Sequence, residues 1–331
     1  MSLRTERAAA VTTGDLAAIF RGLRVAVIGD VMLDEYLIGS VARISPEAPV
    51  PVLDVQSRKC TLGGSANVAA NIAALGGIPI VVGATATDKA GEELRQLFVK
   101  AGISPDHLVD SGSRCTTSKT RIVAGQQQIV RLDQESRDVF SEELTAAVLG
   151  YARAAIAGAQ VAVLSDYGKG LLSNKVSQVL IEEGRRLNLP VVVDPKGKDF
   201  GKYRGSSVIT PNQAEAAAAS GITIDSERSL LRAGEYLLGL LPGTSVLVTR
   251  GADGMTLFRQ AEEPVTVPTV ARRVFDVVGA GDTAVAVLAM SMGAGLPLPR
   301  AMQLANLAAG AVVGKQGTAT VTPAELIEPC F

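Results

Sequence analysis

The sequence predicts an α/β fold built on a mostly parallel β-sheet. Short β-branched runs alternate with amphipathic segments over most of the 331 residues, and the apolar runs are continuous. Regular alternation of strand and helix favours right-handed β-α-β units, and continuously apolar strands are typical of a sheet covered by helices on both faces. No internal repeat or linker divides the chain, so we expect a single domain over residues 1–331.

The predicted elements follow one another at regular intervals. Strands are expected at residues 24–29, 79–83, 161–165, 190–194, 207–210 and 245–249. Helices are expected at residues 92–101, 142–157, 175–187 and 226–240. Gly102 follows the first of these helices, in the position where a C-cap glycine is common.

Two segments interrupt this rhythm and predict a small flap. Residues 37–56 contain three prolines and alternating side chains, which suits an exposed edge strand. Residues 116–133 are typical of a β-hairpin with Gly125 near its turn. Together they predict an antiparallel flap over about 35–57 and 115–133, set on one edge of the main sheet. The apolar face of such a flap would be covered by substrate, by a second subunit or by both.

Composition excludes several classes of function. The net charge of −1 argues against a nucleic-acid partner. Cys60, Cys115 and Cys330 form no disulfide framework, and neither a signal peptide nor a membrane-spanning run is present, so we expect a cytoplasmic protein without membrane contact. His107 is the only histidine, which excludes His-based metal sites and catalytic triads. A metal would be held by oxygen ligands and phosphates, which points to Mg²⁺.

A glycine-rich motif precedes the last long apolar helix. Gly279, Ala280 and Gly281 allow the backbone to approach a ligand, and the helix start supplies free N–H groups and a positive dipole end. This suits charge on a transferring phosphoryl group, with Asp282 accepting a proton from the attacking hydroxyl. A simple turn with Asp282 as N-cap fits equally well. The dinucleotide fingerprint G-x-G-x-x-A also matches, but no acidic residue follows about 20 positions later.

Candidate sugar-binding residues surround the first strand and the first helix start. Gly63 and Gly64 permit close contact, and Asn67 can both donate to and accept from sugar hydroxyls. Alternatively, these residues form an ordinary glycine-rich helix start. Asp34 follows the first strand, at the end of the sheet where open α/β folds bind ligands, and is a candidate to hold two hydroxyls. A turn residue is the alternative for Asp34.

The stretch TPNQAE follows a predicted strand and carries a second candidate site. Asn212 and Glu215 are three residues apart and therefore face the same way in a helical turn. A carboxylate there can organise Mg²⁺ through water near nucleotide phosphates. A capping box has the same spacing. Thr249 and Gly251 belong to a glycine-rich turn after another predicted strand. The backbone of such a turn can run close to a bound nucleotide.

Taken in order, the motifs GGSANVA, DPK, TPNQAE, TRGADG and GAGDT resemble the ribokinase-like (PfkB) carbohydrate kinases over roughly residues 20 to 320. The resemblance implies a three-layer α/β/α fold with a β-flap lid, ATP as donor with Mg²⁺, and a sugar hydroxyl as acceptor. It makes Asp282 the catalytic base and the amides of 279–282 its anion hole. On this basis we assign the nucleotide to Lys196, Asn212, Gln213, Ala214, Glu215, Thr249, Arg250, Gly251 and Asn306. We assign the sugar to Asp34, Gly63, Gly64 and Asn67.

A narrower resemblance points to the acceptor. The stretches GDVMLDEYLIGSVARISPEAPVPVLDV, QQQIVRLD, SDYGKGLL and VDPKGKDF are similar to the kinase half of the bacterial lipopolysaccharide heptose enzymes. Those kinases phosphorylate the anomeric hydroxyl of D-glycero-β-D-manno-heptose 7-phosphate. Some relatives carry a fused nucleotidyltransferase, which we expect here on a separate polypeptide. Val277 replaces the family's usual threonine, so the resemblance does not decide whether a monovalent cation binds near Asp276.

A phosphorylated acceptor needs cations, and several lie in or near the flap and the strand ends: Arg43, Lys119, Arg121, Arg131, Lys169 and Lys196. We favour Arg121 and Lys169, with Arg131, for the substrate phosphate; solvated surface charge is an equally good alternative. The resemblance and the apolar hairpin face imply a homodimer joined through the flaps. The rival functions are a kinase for another sugar or sugar phosphate and a non-catalytic sugar or nucleotide sensor.

Overall fold

A computed structural model describes residues 13–125, 127–136, 138, 140–270, 276–315 and 318–326. The strands are β1 (Arg24–Gly29), β2 (Val31–Ile44), β3 (Pro51–Gly64), β4 (Ile78–Thr85), β5 (Leu108–Asp110), β6 (Ser118–Ala124), β7 (Gln127–Gln134), β8 (Val161–Ser165), β9 (Val191–Asp194), β10 (Val208–Ile209), β11 (Ser245–Thr249), β12 (Met255–Phe258) and β13 (Val265–Val267). The helices are α1 (Thr13–Phe20), α2 (Ser65–Ala74), α3 (Lys89–Lys100), α4 (Glu142–Ala157), α5 (Asn174–Arg186), α6 (Gln213–Ser220), α7 (Glu227–Leu240), α8 (Ala280–Gly293) and α9 (Leu298–Val312).

The main sheet is mostly parallel. In the described part of the chain its order is β13-β12-β11-β10-β9-β8-β1-β4-β5. Only the pairings of β12 with β11 and β13 are antiparallel. The predicted α/β class is therefore confirmed, and the six strands expected from the sequence all belong to this sheet.

Helices cover both faces of the main sheet and produce three layers. Along β1, Val25 and Val27 enter one buried cluster, whereas Ala26 and Ile28 enter the other. This alternation follows from the two-residue period of a strand and explains why the whole strand is apolar. The first cluster contains residues of α2, α8 and α9, and the second contains residues of α4, α5 and α7. None of the described helices is long and apolar enough to cross a membrane.

A second sheet, the flap, consists of β2, β3, β6 and β7 in the order β3-β2-β6-β7. The edge strand predicted within 37–56 is present as the start of β3, at the edge of the flap, but the prediction is wrong in extent, because the same segment also contains the end of β2 and a turn. Pro46 and Pro49 lie in the turn and Pro51 opens β3, so their missing N–H groups interrupt no central ladder. The flap is also not wholly antiparallel: β2 and β6 run in the same direction.

The flap rises from the carboxyl edge of the main sheet. One residue, Asp30, separates β1 from β2, so β2 leaves the main sheet directly where β1 ends. Asp166 directly follows β8, and Asp194 is the last residue of β9. Both lie at the same edge, because neighbouring parallel strands end together. Asp30, Asp166 and Asp194 therefore lie at the edge of the main sheet from which the flap begins.

Candidate active site

Asp282 is a buried carboxylate in the first turn of α8, with 6% of its surface exposed. The helix is capped by Gly279, whose φ of 81° favours glycine, and no side chain of the described residues caps it. The interpretation of Asp282 as an N-cap is therefore wrong. Its position leaves the side chain available for chemistry, while the glycine start keeps the backbone N–H groups of the first turn uncovered by a capping side chain.

Two donors hold the two oxygens of Asp282. The hydroxyl of Tyr167 donates to Oδ1, and Nδ2 of Asn67 donates to Oδ2 at 2.7 Å. Burial raises the pKa of Asp282 from its ordinary 3.8 to about 6; the two hydrogen bonds lower it, and the nearby charge of Asp34 raises it. A carboxyl group with this pKa is ionised at neutral pH and still basic enough to take a proton from a hydroxyl group in a transition state.

A cleft of about 750 Å³ opens beside Asp282. Its polar lining includes Asp166, Asp194, Lys196, Asn212, Glu215 and Gly279 to Asp282. Its apolar lining includes Leu247, Val285, Leu288, Ala305, Ala309 and Val313. A cleft of this size with both polar and apolar lining suits a nucleotide, whose phosphates would be stabilised at the helix start and whose base would pack against apolar side chains.

Most of the residues assigned to the nucleotide line this cleft: Lys196, Asn212, Glu215, Thr249, Gly251 and Asn306. Gln213, Ala214 and Arg250 are not among the lining residues, and their assignment to the nucleotide stays a prediction. Arg250 instead donates to Glu227 at 2.8 Å and to Thr256 at 3.1 Å, so its guanidinium serves packing between α7 and β12.

Glu215 forms the capping box that its spacing allows, and it also lines the cleft. Its Oε2 accepts from the backbone N–H of Asn212 at 3.0 Å, and Oδ1 of Asn212 accepts from the backbone N–H of Glu215 at 2.9 Å, which forms a capping box at the start of α6. Its Oε1 accepts from Nζ of Lys196 at 2.7 Å. Over the described ranges no three His, Cys, Asp or Glu side chains converge as a metal site. Mg²⁺ would therefore depend on phosphate oxygens and water, with Glu215 as the nearby carboxylate.

On the flap side, Asp34 is part of strand β2, so the alternative of a turn residue is wrong. Its Oδ1 accepts from Nη1 of Arg121 at 2.6 Å, and both residues are more than nine-tenths buried. Gly63 lies beside this pair on β3, where a Cβ would clash with Oδ2 of Asp34. Gly64, with φ of 57°, ends β3, and α2 begins at the next residue. Gly63 thus leaves room for Asp34, whereas Gly64 leaves room for the Asp30 carbonyl and Met32.

The flap carries a network of ion pairs on the face that contains Asp34. Strand register places Asp34, Lys119 and Asp133 in one row, and Tyr36, Arg121 and Arg131 in the row two residues further on. The flap network consists of Lys119, Arg121, Arg131, Lys169, Asp34, Asp133 and Glu135. Arg43 lies outside it, near the far end of β2, and Lys196 lies in the cleft.

The cations of the flap network differ in how closely they are paired and how exposed their side chains are. Lys119 donates to Asp133 at 3.2 Å, and Nζ of Lys169 donates to Glu135 at 2.5 Å. Nε of Arg131 donates to Asp133 at 2.8 Å, and the Arg131 side chain is about half exposed. The network contains more cations than carboxylates, which suits the binding of an additional anion.

Sequence reasoning did not single out Tyr167 or Asp194. Both lie at the carboxyl ends of buried strands, Tyr167 after β8 and Asp194 at the end of β9, and the same positional signal had identified Asp34. Asp194 lines the cleft, where burial and the negative charge of Asp282 raise its pKa well above the ordinary value.

Comparison with known proteins places these features in a family. The model described as "pfkB family carbohydrate kinase" matches residues 23–325. The chain is 48% identical over 307 residues to a protein of Geotalea uraniireducens named "Bifunctional protein HldE", covering 93% of this chain and 63% of that relative. A protein of the same name from Azorhizobium caulinodans is 48% identical over 303 residues, covering 91% of this chain and 63% of the relative. The chain thus spans less than two thirds of these relatives.

Solved structures agree on the fold. Ribokinase of Arabidopsis thaliana, complexed with ribose and ATP, has a TM-score of 0.72 at 19% identity, covering 92% of this chain and 98% of that one. Phosphofructokinase-2 of Escherichia coli, in complex with potassium, has a TM-score of 0.75 at 18% identity, covering 92% and 97%. The predicted ribokinase-like fold is confirmed by these likenesses.

Proposed function

Because the chain belongs to the pfkB family of carbohydrate kinases, we propose that this sugar kinase uses ATP and Mg²⁺ to phosphorylate D-glycero-β-D-manno-heptose 7-phosphate. The product is the 1,7-bisphosphate, an intermediate for ADP-heptose and the lipopolysaccharide core. The position of Asp282, between the nucleotide-sized cleft and the polar face of the flap, carries the proposal. The narrower resemblance and the HldE relatives support the choice of acceptor.

In the proposed reaction, Asp282 takes the proton of the anomeric hydroxyl as its oxygen attacks the γ-phosphorus. The sugar O–H bond and the bond from the γ-phosphorus to ADP break, while a new P–O bond forms. The backbone N–H groups of residues 279–282 lie at the helix start, where they stabilise negative charge on the transferring group. Bound Mg²⁺ supplies further charge neutralisation at the phosphates. Closure of the flap would keep water from competing as an acceptor.

The flap network supplies a site for the phosphate of the acceptor. Arg121 and Lys169 are both largely buried and each is held by a carboxylate, Asp34 at 2.6 Å and Glu135 at 2.5 Å, whereas the Arg131 side chain is about half exposed. Lys169, Lys119 and Arg131 pair only with Asp133 and Glu135 in the flap network. A doubly charged phosphate competes well with single carboxylates for such groups, and arginine can bind it bidentately. Because Arg131 is the most exposed of these cations, we give it the largest part in the phosphate site, beside Arg121 and Lys169.

The other face of the flap supports association into a homodimer. Val55, Val130 and Leu132 are between 43% and 56% exposed there. An apolar face of a sheet in this position is typical of a surface covered by another copy of the chain. Leu132→Glu is expected to shift the mass measured by light scattering from dimer to monomer. An unchanged dimer mass would exclude this face as the interface.

ADP release with Mg²⁺-ATP tests the function directly. The acceptor panel contains the β-heptose 7-phosphate, its α-anomer, fructose 6-phosphate, ribose and adenosine. Turnover confined to the β-heptose phosphate supports the proposal, and turnover on another sugar alone overturns the acceptor. Folded, ATP-binding protein that turns over none of them would favour a sensor. Arg131→Gln should raise the KM for the phosphorylated acceptor about tenfold with the KM for ATP unchanged.

A further inference from the structure

Two parts of the sequence have no role in the reaction as proposed: Asp30 after β1, and residues 166–168 of the turn after β8. The structure joins them. The backbone N–H groups of Tyr167 and Lys169 donate to Oδ2 of Asp30 at 2.9 Å and 3.1 Å. Asp30 is only 5% exposed, so these main-chain donors satisfy a carboxylate that lies away from solvent. The acidic residue between β1 and the flap therefore fixes the backbone of the turn.

The same turn is fixed a second time by Asp166, which is 3% exposed. Its Oδ1 accepts from the backbone N–H of Gly168 at 2.7 Å, and its Oδ2 accepts from Nζ of Lys202 and the hydroxyl of Tyr203, both at 2.6 Å. Gly168 has a φ of 68°, the left-handed conformation that lets the chain reverse there. A short loop with buried anchors on both sides holds its side chains in a defined place.

The side chain presented by this turn is Tyr167, and its hydroxyl donates to Oδ1 of Asp282. We propose that Tyr167 is a positioning residue for the reaction base: its hydroxyl fixes the carboxylate plane of Asp282 and favours the ionised form that takes the acceptor's proton. The inference rests on the proposed function of Asp282. Asn67 holds the other oxygen, and each carboxylate oxygen retains acceptor capacity for the substrate hydroxyl.

The surroundings of Asp282 explain why such a donor is needed. The negative charge of Asp34 acts on Asp282 from the flap, and that of Asp194 acts on it from the end of β9. Lys196 and Glu215 lie near Asp194 in the same cleft. Burial and the charge of Asp34 raise the pKa of Asp282, whereas Tyr167 and Asn67 lower it. The pKa of the Tyr167 hydroxyl is itself raised well above 10, chiefly by burial, so it remains a donor. Removing this hydroxyl must therefore raise the pKa of Asp282.

Tyr167→Phe tests the inference through the pH dependence of kcat/KM for the best acceptor of the panel. We expect the midpoint of the acid limb to move upwards by about one pH unit, because a hydrogen bond to an ionised group is lost. The plateau of kcat should fall by up to about tenfold, and the KM for ATP should stay within about twofold. An acid limb that coincides with that of the wild type overturns the inference, even if kcat is reduced, because a purely structural tyrosine would give that result.

A second buried acid makes the choice of variant important. Burial and the charge of Asp166 raise the pKa of Asp30 to about 6 as well. The donors to Asp30 from the turn are backbone N–H groups, which Tyr167→Phe leaves in place. A shift of the limb in Tyr167→Phe therefore reports on Asp282. Tyr236→Phe removes a half-exposed tyrosine hydroxyl on α7 and is the matched control, for which the profile should be unchanged.

Failure of the inference is distinguishable from failure of the proposed function. If Asp282→Asn is inactive while the limb of Tyr167→Phe is unmoved, Asp282 stays the base and only the role of Tyr167 is lost. If Asp282→Asn retains turnover, the base assignment itself fails. If Tyr167→Phe does not fold, Gly168→Ala replaces it, because a Cβ strains the turn at its φ of 68° and removes no titratable group: the displaced hydroxyl should move the limb in the same direction, and an unmoved limb again overturns the inference.

Discussion

Replacing Asp282 by Asn should make the protein more stable and nearly inactive. Burial raises the pKa of this carboxyl group from 3.8 to about 6 in the folded protein. A raised pKa means that the folded state binds the proton more tightly than the unfolded state does. Stability therefore falls as the pH rises from about 4 to about 6, and the full cost is present above that window. A difference of about two pKa units corresponds to about 3 kcal/mol of unfolding free energy at neutral pH.

The neutral amide of Asn avoids this cost in nearly the same volume. Its oxygen can accept from Asn67, and its NH₂ group can donate to the Tyr167 hydroxyl, which is able to accept. Some of the gain is lost because two charge-assisted hydrogen bonds become neutral ones. We therefore expect Asp282→Asn to raise the unfolding free energy by about 1 to 3 kcal/mol at pH 7. Turnover should fall by about two to four orders of magnitude, the scale of general-base catalysis.

Urea unfolding at about pH 4.5, 7 and 8, followed by circular dichroism, measures the stability, and ADP release measures the turnover. The stability gain of Asp282→Asn should be largest at the two higher pH values and should shrink at the lowest. Asp54→Asn, which neutralises an exposed carboxylate in the flap, should show no comparable gain. A variant that is less stable than the wild type at pH 7, or a gain that does not depend on pH, would refute the reasoning.

Three further substitutions probe the groups around Asp282. Gly63→Ala places a Cβ against Asp34, so the KM for the acceptor should rise about tenfold in steady-state assays while the KM for ATP is unchanged. Arg121→Met leaves the buried carboxylate of Asp34 without its partner and should lower the unfolding free energy by about 3 kcal/mol in urea titrations. Gly279→Ala strains a backbone with φ of 81° and brings its Cβ to 2.8 Å from Nδ2 of Asn67, so kcat should fall about tenfold.

Matched variants separate these effects from general damage. Gly295 has a φ of 80° and no heavy atom within 4 Å of an added Cβ, so Gly295→Ala strains the backbone as Gly279→Ala does without touching Asn67. Equal losses of kcat in the two variants would show that the contact with Asn67 is not the cause. For Arg121→Met, combination with Asp34→Asn removes the uncompensated charge, and stability that fails to recover would contradict the ion-pair argument.

Local patterns were sufficient for most of the main sheet. Strands β8 and β11 and helix α4 have the bounds that the sequence pattern predicts. A buried parallel strand gives a continuous apolar run and an amphipathic helix gives a helical period, and both patterns depend on residues close in the chain. The flap was less predictable. Its register depends on the pairing of β2 with β6, which are far apart in the chain. Glu35 and Thr120, for example, are in contact across 85 residues of sequence. The proline-containing segment 37–56 therefore resembled one strand in its sequence pattern, although it contains parts of two strands and a turn.

The sequence by itself determined the α/β class, the family and the position of Asp282 at a glycine-started helix, since each of these depends on residues that are close in the chain. Only the tertiary structure decided which groups surround Asp282. Asn67 and Tyr167 are 215 and 115 residues away from it, and Arg121 and Asp34 are 87 residues apart. The physical reason is that parallel strands end at one edge and bring distant loops together there, whereas the pairing of polar side chains across that edge leaves no periodic signal along the chain.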